Sequence, residues 1–140
     1  MSHRTGKEST LPLLYFDVSE GRTPSEIKAL LDTSHAATVE AFEVPERDRY
    51  QVVRSHPTGQ IVALDTGLDI ARSHHLVIIH VVSRPRTRAQ KEKFYALLAE
   101  RLQRDCGLDP ADLIVSMTEN DNEDWSFGFG RAQFLTGELH

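Results

Sequence analysis

The same helix-start signal occurs twice in this chain. Thr23 lies three residues before Glu26, and Thr87 lies three residues before Gln90. In each pair the threonine hydroxyl can accept from the third residue's backbone N–H, while the Glu or Gln side chain accepts from the threonine N–H, which is the capping box of a helix. An apolar segment precedes each box and a run with helical spacing follows it. The sequence therefore predicts two copies of one β-α-β unit.

The first copy is predicted over residues 12–56. The segment PLLYFDVS, 12–19, is apolar and aromatic enough for a buried strand. Pro24 suits the first helical position, and a stripe of small and apolar residues predicts a helix to about Phe42. The segment YQVVRSH, 50–56, alternates like a strand.

The second copy is predicted over residues 75–119. The segment HLVIIHVVS, 75–83, is nearly all apolar and β-branched, which is typical of a strand buried on both faces. A helix follows it and ends at Gly107, since glycine is favoured after a helix. The segment DLIVSMTE, 112–119, is predicted as the last strand of the unit.

Two segments lie outside the repeat. Within residues 57–74 the run GQIVALD predicts a short strand followed by a loop. The glycine- and aromatic-rich residues 120–140 are interpreted as a loop and a short hairpin that close over a site or pack on a neighbouring subunit.

These units predict an α/β (α+β) fold with a four-stranded mixed sheet and two helices on one face. Because the other face of such a sheet must be covered, we expect oligomers. One domain is expected over residues 12–140. Residues 1–11 are interpreted as an N-terminal extension, either disordered or an artefact of the assigned start.

Composition narrows the possible functions. The net charge of −5 argues against a nucleic-acid-binding protein, which usually presents a basic face. No apolar run approaches the roughly 18 residues that a membrane-spanning helix needs, and the first ten residues lack the apolar core of a signal peptide. The single cysteine, Cys106, excludes an internal disulfide and suits a reducing, cytoplasmic compartment. No spacing of His, Cys and Asp suggests a metal site, and no cofactor is expected.

The segment SRPRTR, 83–88, is the strongest candidate for a ligand site. Pro85 favours an extended backbone at Arg84, and residues two apart on extended backbone point to the same side, so Arg84 and Arg86 can converge. They lie between a predicted strand and a helix N-terminus, where anions are favoured. Two arginines there can hold a carboxylate. An exposed basic loop, or pairing with acidic residues of another subunit, is the alternative.

Other candidates carry a weaker signal. Asp48 can orient a water or accept a proton, although a loop aspartate is more often only solvated. Trp125, Phe127 and Phe134 can form an aromatic wall that excludes water and so favours loss of a carboxylate as CO₂. Packing in the core or against another subunit explains the same aromatic residues equally well.

Four segments together resemble the tautomerase superfamily, and within it the malonate semialdehyde decarboxylase branch is most similar. The resemblance runs from Pro12 to about Leu139. It rests on PLLYFDVSEGRTPSEIKALLD, VPERDRYQVV, SRPRTRAQKEKFYALLAERL and NEDWSFGFGRAQFLTGEL.

The resemblance implies a homotrimer and a catalytic role for Pro12. In this family the initiator methionine is removed and the proline secondary amine becomes the catalytic group. An internal proline has no such amine. We therefore hypothesise that Leu11 is encoded by a leucine-type start codon, read as methionine and then removed.

Further residues take their roles from the resemblance. Arg84 and Arg86 match arginines that hold the substrate carboxylate or polarise its carbonyl, and Asp48 matches an aspartate assigned to activation of water or proline. The hydrophobic pocket corresponds to Trp125, Phe127, Phe134 and Leu135.

The implied reaction is cofactor-independent decarboxylation of 3-oxopropanoate, a small carboxylate, to acetaldehyde and CO₂. Other branches imply a phenylpyruvate-type keto–enol tautomerase, a hydratase or a dehalogenase. A non-catalytic carboxylate-binding protein with a blocked proline is a further alternative. Phe129 departs from the family pattern, which predicts a polar or charged residue there, and this leaves the substrate open.

Overall fold

The computed structural model describes residues 12–139, so the predicted extension at 1–11 lies outside the described residues. Four strands and two long helices form the body of the chain, followed by a short helix near the C-terminus. No described helix is long and apolar enough to cross a membrane. In chain order the elements are β1 (Leu13–Ser19), α1 (Pro24–Phe42), β2 (Tyr50–His56), β3 (Val77–Ser83), α2 (Arg88–Cys106), β4 (Leu113–Glu119) and α3 (Gln133–Thr136), with 3₁₀ turns at Pro110–Asp112 and Asn122–Asp124.

Both long helices begin at the predicted capping boxes. Glu26 N donates to Thr23 Oγ1 at 3.2 Å and Thr23 N donates to Glu26 Oε1 at 2.8 Å. Thr87 and Gln90 make the same two bonds at 3.1 and 2.9 Å. The second helix ends at Gly107, whose φ of 66° lies in the left-handed region that glycine adopts most easily. These sequence predictions are confirmed.

The sheet has the strand order β2-β1-β3-β4. The outer pairs, β1 with β2 and β3 with β4, are parallel, and the central pair, β1 with β3, is antiparallel. Each parallel pair belongs to one β-α-β unit, so the two units meet at the central pair with opposite directions. The predicted mixed sheet is confirmed, and its consequence is that β1 begins where β3 ends.

The core lies between one face of the sheet and the two helices, which pack against each other. Alternate residues of β1 and β3 are buried there, with Phe16 and Ile79 fully inaccessible. Burying a side chain of this size contributes roughly 1.5–3 kcal/mol. The alternate positions on the other face, such as Tyr15 and His80, are only half-buried. The prediction that β3 is buried on both faces is therefore wrong for the single chain.

The predicted strand in GQIVALD is also wrong. From Pro57 to Leu76 the described chain contains no strand. Side chains anchor this connector instead: Arg72 Nη1 donates to Ala111 O at 2.6 Å, and Ser73 N donates to Asp112 Oδ1 at 2.6 Å. An alternating pattern makes a strand only where a neighbouring strand accepts its backbone groups, and here none does.

The predicted C-terminal hairpin is likewise absent from the described residues. A 3₁₀ turn and the short helix α3 take its place. The Gln133 side chain holds this segment: it accepts from Phe127 N and donates to Gly128 O, both at 2.9 Å.

Candidate active site

One end of the sheet gathers most of the residues that the sequence singled out. Leu13 lies opposite Val82 in the antiparallel central pair, so the next pair outward is Pro12 with Ser83. The Pro12 side chain is fully buried. The arginine-containing segment leaves the sheet immediately after Ser83, beside Pro12, because the register of the central pair brings them together.

Arg84 is held by a polar and an aromatic partner. Its Nη1 donates to Asn122 Oδ1 at 2.6 Å. Its guanidinium lies over the ring of Phe134, 4.1 Å from the ring centroid. Cation–π contact and a hydrogen bond together restrict a long side chain that would otherwise sample many rotamers. Arg84 is thus oriented by residues that follow β4.

Arg86 is held from three sides. Its Nε donates to Ser83 Oγ at 2.9 Å, and its backbone N–H donates to Glu119 Oε2 at 2.8 Å. Its guanidinium lies 4.7 Å from the ring centroid of Phe42, at the end of α1. The two arginines of the Arg-Pro-Arg segment therefore rest on different aromatic rings at the same end of the sheet.

Electrostatics make this end receptive to an anion. Burial, followed by the positive charge of Arg84, lowers the pKa of Arg86 to about 10, while Asp48 and Glu119 oppose that shift. Arg86 therefore remains a cation at neutral pH. Its ionised form is nonetheless less favourable here than it would be for the same side chain in water. A bound carboxylate reduces that penalty by placing a negative charge beside the guanidinium.

Asp48 lies in the loop before β2 and is only 8% exposed. Its Oδ2 is buried and has no hydrogen-bond partner among residues 12–139. Leaving a buried acceptor unsatisfied costs about 1–3 kcal/mol, so such an atom calls for an explanation. Its charge acts on Arg86. The Asp48 carboxylate thus presents a buried acceptor oxygen without a described partner at this end of the sheet.

The predicted aromatic wall exists. The rings of Trp125 and Phe127 stack with centroids 5.6 Å apart, and Phe127 meets Phe134 edge-on at 5.4 Å. Tyr50, which is not part of the predicted wall, extends it, with ring centroids of Tyr50 and Phe127 6.1 Å apart. Leu135 is 62% exposed, so within one chain it is not buried with these rings.

Phe129 projects away from the protein. It is 92% exposed and its φ of 59° is unusual for a residue other than glycine. Arg131 lies over its ring at 5.3 Å. The residue that departs from the family pattern is therefore at the surface of the single chain.

The supporting residues were missed by sequence reasoning. Ser83, Glu119 and Asn122 fix the arginines, and Gln133 fixes the backbone that carries the aromatic wall. Nothing in their type distinguishes them from ordinary polar residues. Only their position at or beyond the ends of β3 and β4, which are adjacent in the sheet, could have indicated their role.

A concavity of about 530 Å³ lies at the opposite end of the sheet. It is lined by the end of β1, the start of α1 and the end of α2, with Arg22, His75 and Cys106 among its residues. None of the predicted site residues lines it. The described chain also has no group of three or more His, Cys, Asp or Glu side chains placed to hold a metal.

Comparisons with known proteins agree with this geometry. A family model described as a tautomerase enzyme matches residues 48–128. The probable tautomerase YrdN of Bacillus subtilis (strain 168) is 55% identical over 129 residues, covering 92% of this chain and all of the relative. A second relative from that organism, the probable tautomerase YusQ, is 31% identical, covering 89% and 99% of the two chains.

Solved structures give the same result. A malonate semialdehyde decarboxylase, described with decarboxylase and hydratase activities, is 54% identical, with a TM-score of 0.89 and coverage of 91% and 99%. The FG41 malonate semialdehyde decarboxylase is 40% identical, with a TM-score of 0.87 and coverage of 91% and 97%. A fused 4-OT protein solved as a symmetric trimer shares the fold at 20% identity, with a TM-score of 0.73 and coverage of 89% and 98%. The chain belongs to the tautomerase superfamily, in the branch of the malonate semialdehyde decarboxylases.

Proposed function

We propose that this chain is a cofactor-independent decarboxylase that converts malonate semialdehyde (3-oxopropanoate) to acetaldehyde and CO₂ with the secondary amine of Pro12. The observation that carries the proposal is the pair Arg84 and Arg86, fixed beside the strand end that holds Pro12. The similarity to two malonate semialdehyde decarboxylases supports the choice of substrate.

The arginines bind the substrate carboxylate. A guanidinium offers a planar fork of N–H donors that matches a carboxylate in two parallel hydrogen bonds. With Arg86 still cationic at neutral pH, the carboxylate is bound in its ionised form. The neighbouring aromatic wall excludes water, so the charge is poorly solvated and its loss as neutral CO₂ is favoured.

Pro12 activates the aldehyde by one of two routes. As a cation it hydrogen-bonds the aldehyde oxygen, the electron pair left by departing CO₂ is accommodated as an enolate, and protonation of the enolate carbon gives acetaldehyde. As a neutral amine it condenses with the aldehyde to an iminium and releases water; loss of CO₂ then gives an enamine, which is protonated and hydrolysed. Both routes need a free secondary amine, because a proline nitrogen in a peptide bond has neither proton nor basic lone pair. Asp48 is the proposed partner for water or for the Pro12 amine.

We further propose that residues 12–140 act as one domain within a homotrimer. The half-buried face of the sheet gives each chain a surface to cover, and the related fused 4-OT protein is trimeric. Leu135 and Phe129, exposed in the single chain, are then available to a neighbouring chain.

The test is acetaldehyde formation from 3-oxopropanoate by a variant that begins at Pro12. We expect turnover by this variant and none above background by the chain that retains residues 1–11. Pro12→Ala in the Pro-first form is expected to lose about 10²–10⁴-fold in kcat, the usual contribution of a positioned acid–base group. Native mass spectrometry checks that the variants assemble alike. Equal activity of the chain that retains residues 1–11 and the chain that begins at Pro12 would refute the proposal.

A second candidate is keto–enol tautomerisation, favoured by the relative named a probable tautomerase at 55% identity. Here neutral Pro12 acts as the base on a phenylpyruvate-like acid. The same variants are assayed with phenylpyruvate beside 3-oxopropanoate, and the larger kcat/KM decides between the two reactions. Carboxylate binding without turnover of either substrate would indicate a non-catalytic binding protein.

A further inference from the structure

We propose that Ser83 is a positioning residue that sets the orientation of Arg86 for carboxylate binding. This inference deepens the proposed function and rests on the carboxylate clamp formed by Arg84 and Arg86. Ser83 is the last residue of β3 and is fully buried. The register of the central strand pair places it opposite Pro12, and it directly precedes the clamp in the chain.

The hydroxyl of Ser83 contacts both arginine residues. It donates to the backbone carbonyl of Arg84 at 2.7 Å, and its oxygen accepts from Arg86 Nε at 2.9 Å. A serine hydroxyl has a single proton. Giving that proton to the Arg84 carbonyl turns the oxygen lone pairs toward Arg86, so one small group fixes the relative position of the two arginines.

The contact selects which side of the Arg86 guanidinium meets a ligand. A guanidinium can bind a carboxylate through Nε and one terminal nitrogen, or through its two terminal nitrogens. Because Nε–H is directed to Ser83, the hydroxyl fixes the rotation of the guanidinium and with it the direction of the two terminal nitrogens. Without the hydroxyl the side chain gains rotamers, and ordering it again weakens substrate binding.

The repeat supplies a matched control. Ser19 is the last residue of β1 and is also buried, at 9% exposure. It precedes Arg22 by the same spacing that separates Ser83 from Arg86. Arg22, however, donates from Nη2 to the backbone oxygen of His75 at 2.6 Å. Ser19→Ala therefore makes the same chemical change at the far end of the sheet, away from the clamp.

The experiment measures binding of 3-hydroxypropanoate by calorimetry, in the Pro-first protein. This probe carries the carboxylate but has no aldehyde, so it binds without decarboxylating. We expect Ser83→Ala to weaken binding about tenfold, as for loss of a hydrogen bond to a charged group. Ser83→Thr, which keeps the hydroxyl, is expected to recover most of the affinity, and Ser19→Ala to leave it unchanged. In the turnover assay the same loss should raise KM far more than it lowers kcat.

A double-mutant cycle separates positioning from general damage. If Ser83 acts through Arg86, adding Ser83→Ala to Arg86→Ala weakens binding no further. A further tenfold loss in that background, or unchanged affinity in Ser83→Ala alone, would overturn the role of Ser83 while leaving the clamp intact. Failure of the unsubstituted protein to bind the probe would instead reject the clamp, and this inference with it.

Discussion

The two β-α-β units are alike in backbone and different in chemistry. Each has strands of seven residues and a helix of 19, and the backbones of Thr23 and Thr87 at the two caps are nearly identical, with φ of −72° in both. The loops that lead into these caps carry different charges. The first presents Glu20 and Arg22, and the second presents Arg84 and Arg86. Repeating the fold has therefore not repeated the anion clamp.

The two ends of the sheet also differ in the residue that precedes the strand beginning there. Pro12 precedes β1, and Leu76 stands in the equivalent place before β3. The nitrogen of Leu76 is an internal amide that donates to Ser73 O at 3.4 Å, so it can never act as an amine. Within residues 12–139, the far end has a cavity but neither paired arginines nor a possible amine. Under the proposed mechanism only one end can react.

The largest expected difference is in kcat/KM, between the variants Arg86→Ala and Arg22→Ala. Arg86→Ala removes one half of the clamp and is expected to lower kcat/KM at least about 10³-fold, as when one partner of a buried charged contact is removed. Arg22→Ala is expected to leave kcat/KM within about twofold, because it changes only the far end. Steady-state kinetics on 3-oxopropanoate, with melting temperatures as a folding check, compare them. Similar losses in both variants would contradict the assignment of the site to one end.

A smaller effect, on the free energy of unfolding, is expected at two fully buried helix positions, Leu98 and Ser34. They occupy equivalent positions in the two units, since each lies 11 residues after the capping threonine of its helix. Leu98→Ala is expected to cost about 3 kcal/mol in free energy of unfolding, because it leaves a cavity in the core. Ser34→Ala is expected to stabilise the protein by about 1 kcal/mol, since its Oγ is buried without a partner among the described residues. Urea denaturation measures both. Destabilisation by Ser34→Ala would show that its hydroxyl is satisfied after all.

The smallest expected effects are at the caps. Thr23→Ala and Thr87→Ala should each cost about 1 kcal/mol in free energy of unfolding, because each removes one half of a capping box. The two variants should differ in KM. Only Thr87→Ala is expected to raise it severalfold, since Thr87 fixes the backbone directly after Arg86. Denaturation and kinetics on the same two proteins test this. An equal change in KM would mean that the caps act through global stability.

What the sequence could predict depended on local signals. Capping boxes, Pro24 and Gly107 act within one helical turn, so both helices were predicted at their observed positions. The run GQIVALD and the C-terminal hairpin were mispredicted because a strand depends on a partner that a local pattern does not contain.

In the site, too, some features follow from local sequence and others depend on partners distant in the chain. The Arg-Pro-Arg spacing is a local signal, and the structure does place both arginines at one end of the sheet. The roles of Ser83, Asn122 and Gln133 depend on which chain ends become neighbours in the sheet. The burial of Asp48 and the action of its charge on Arg86, 38 residues further along the chain, likewise depend on the tertiary fold.

The irregular connector between β2 and β3 has a consequence for how the chain can vary. It joins the two units without taking part in the sheet, and its anchors, Arg72 and Ser73, lie near its end. The entropy of closing a loop grows only with the logarithm of its length, so doubling it costs about 0.6 kcal/mol. Insertions near Gly59 are therefore expected to change the free energy of unfolding little and to leave Pro12 and the arginines in place. Chain length can change in this connector while the spacing within each unit stays fixed.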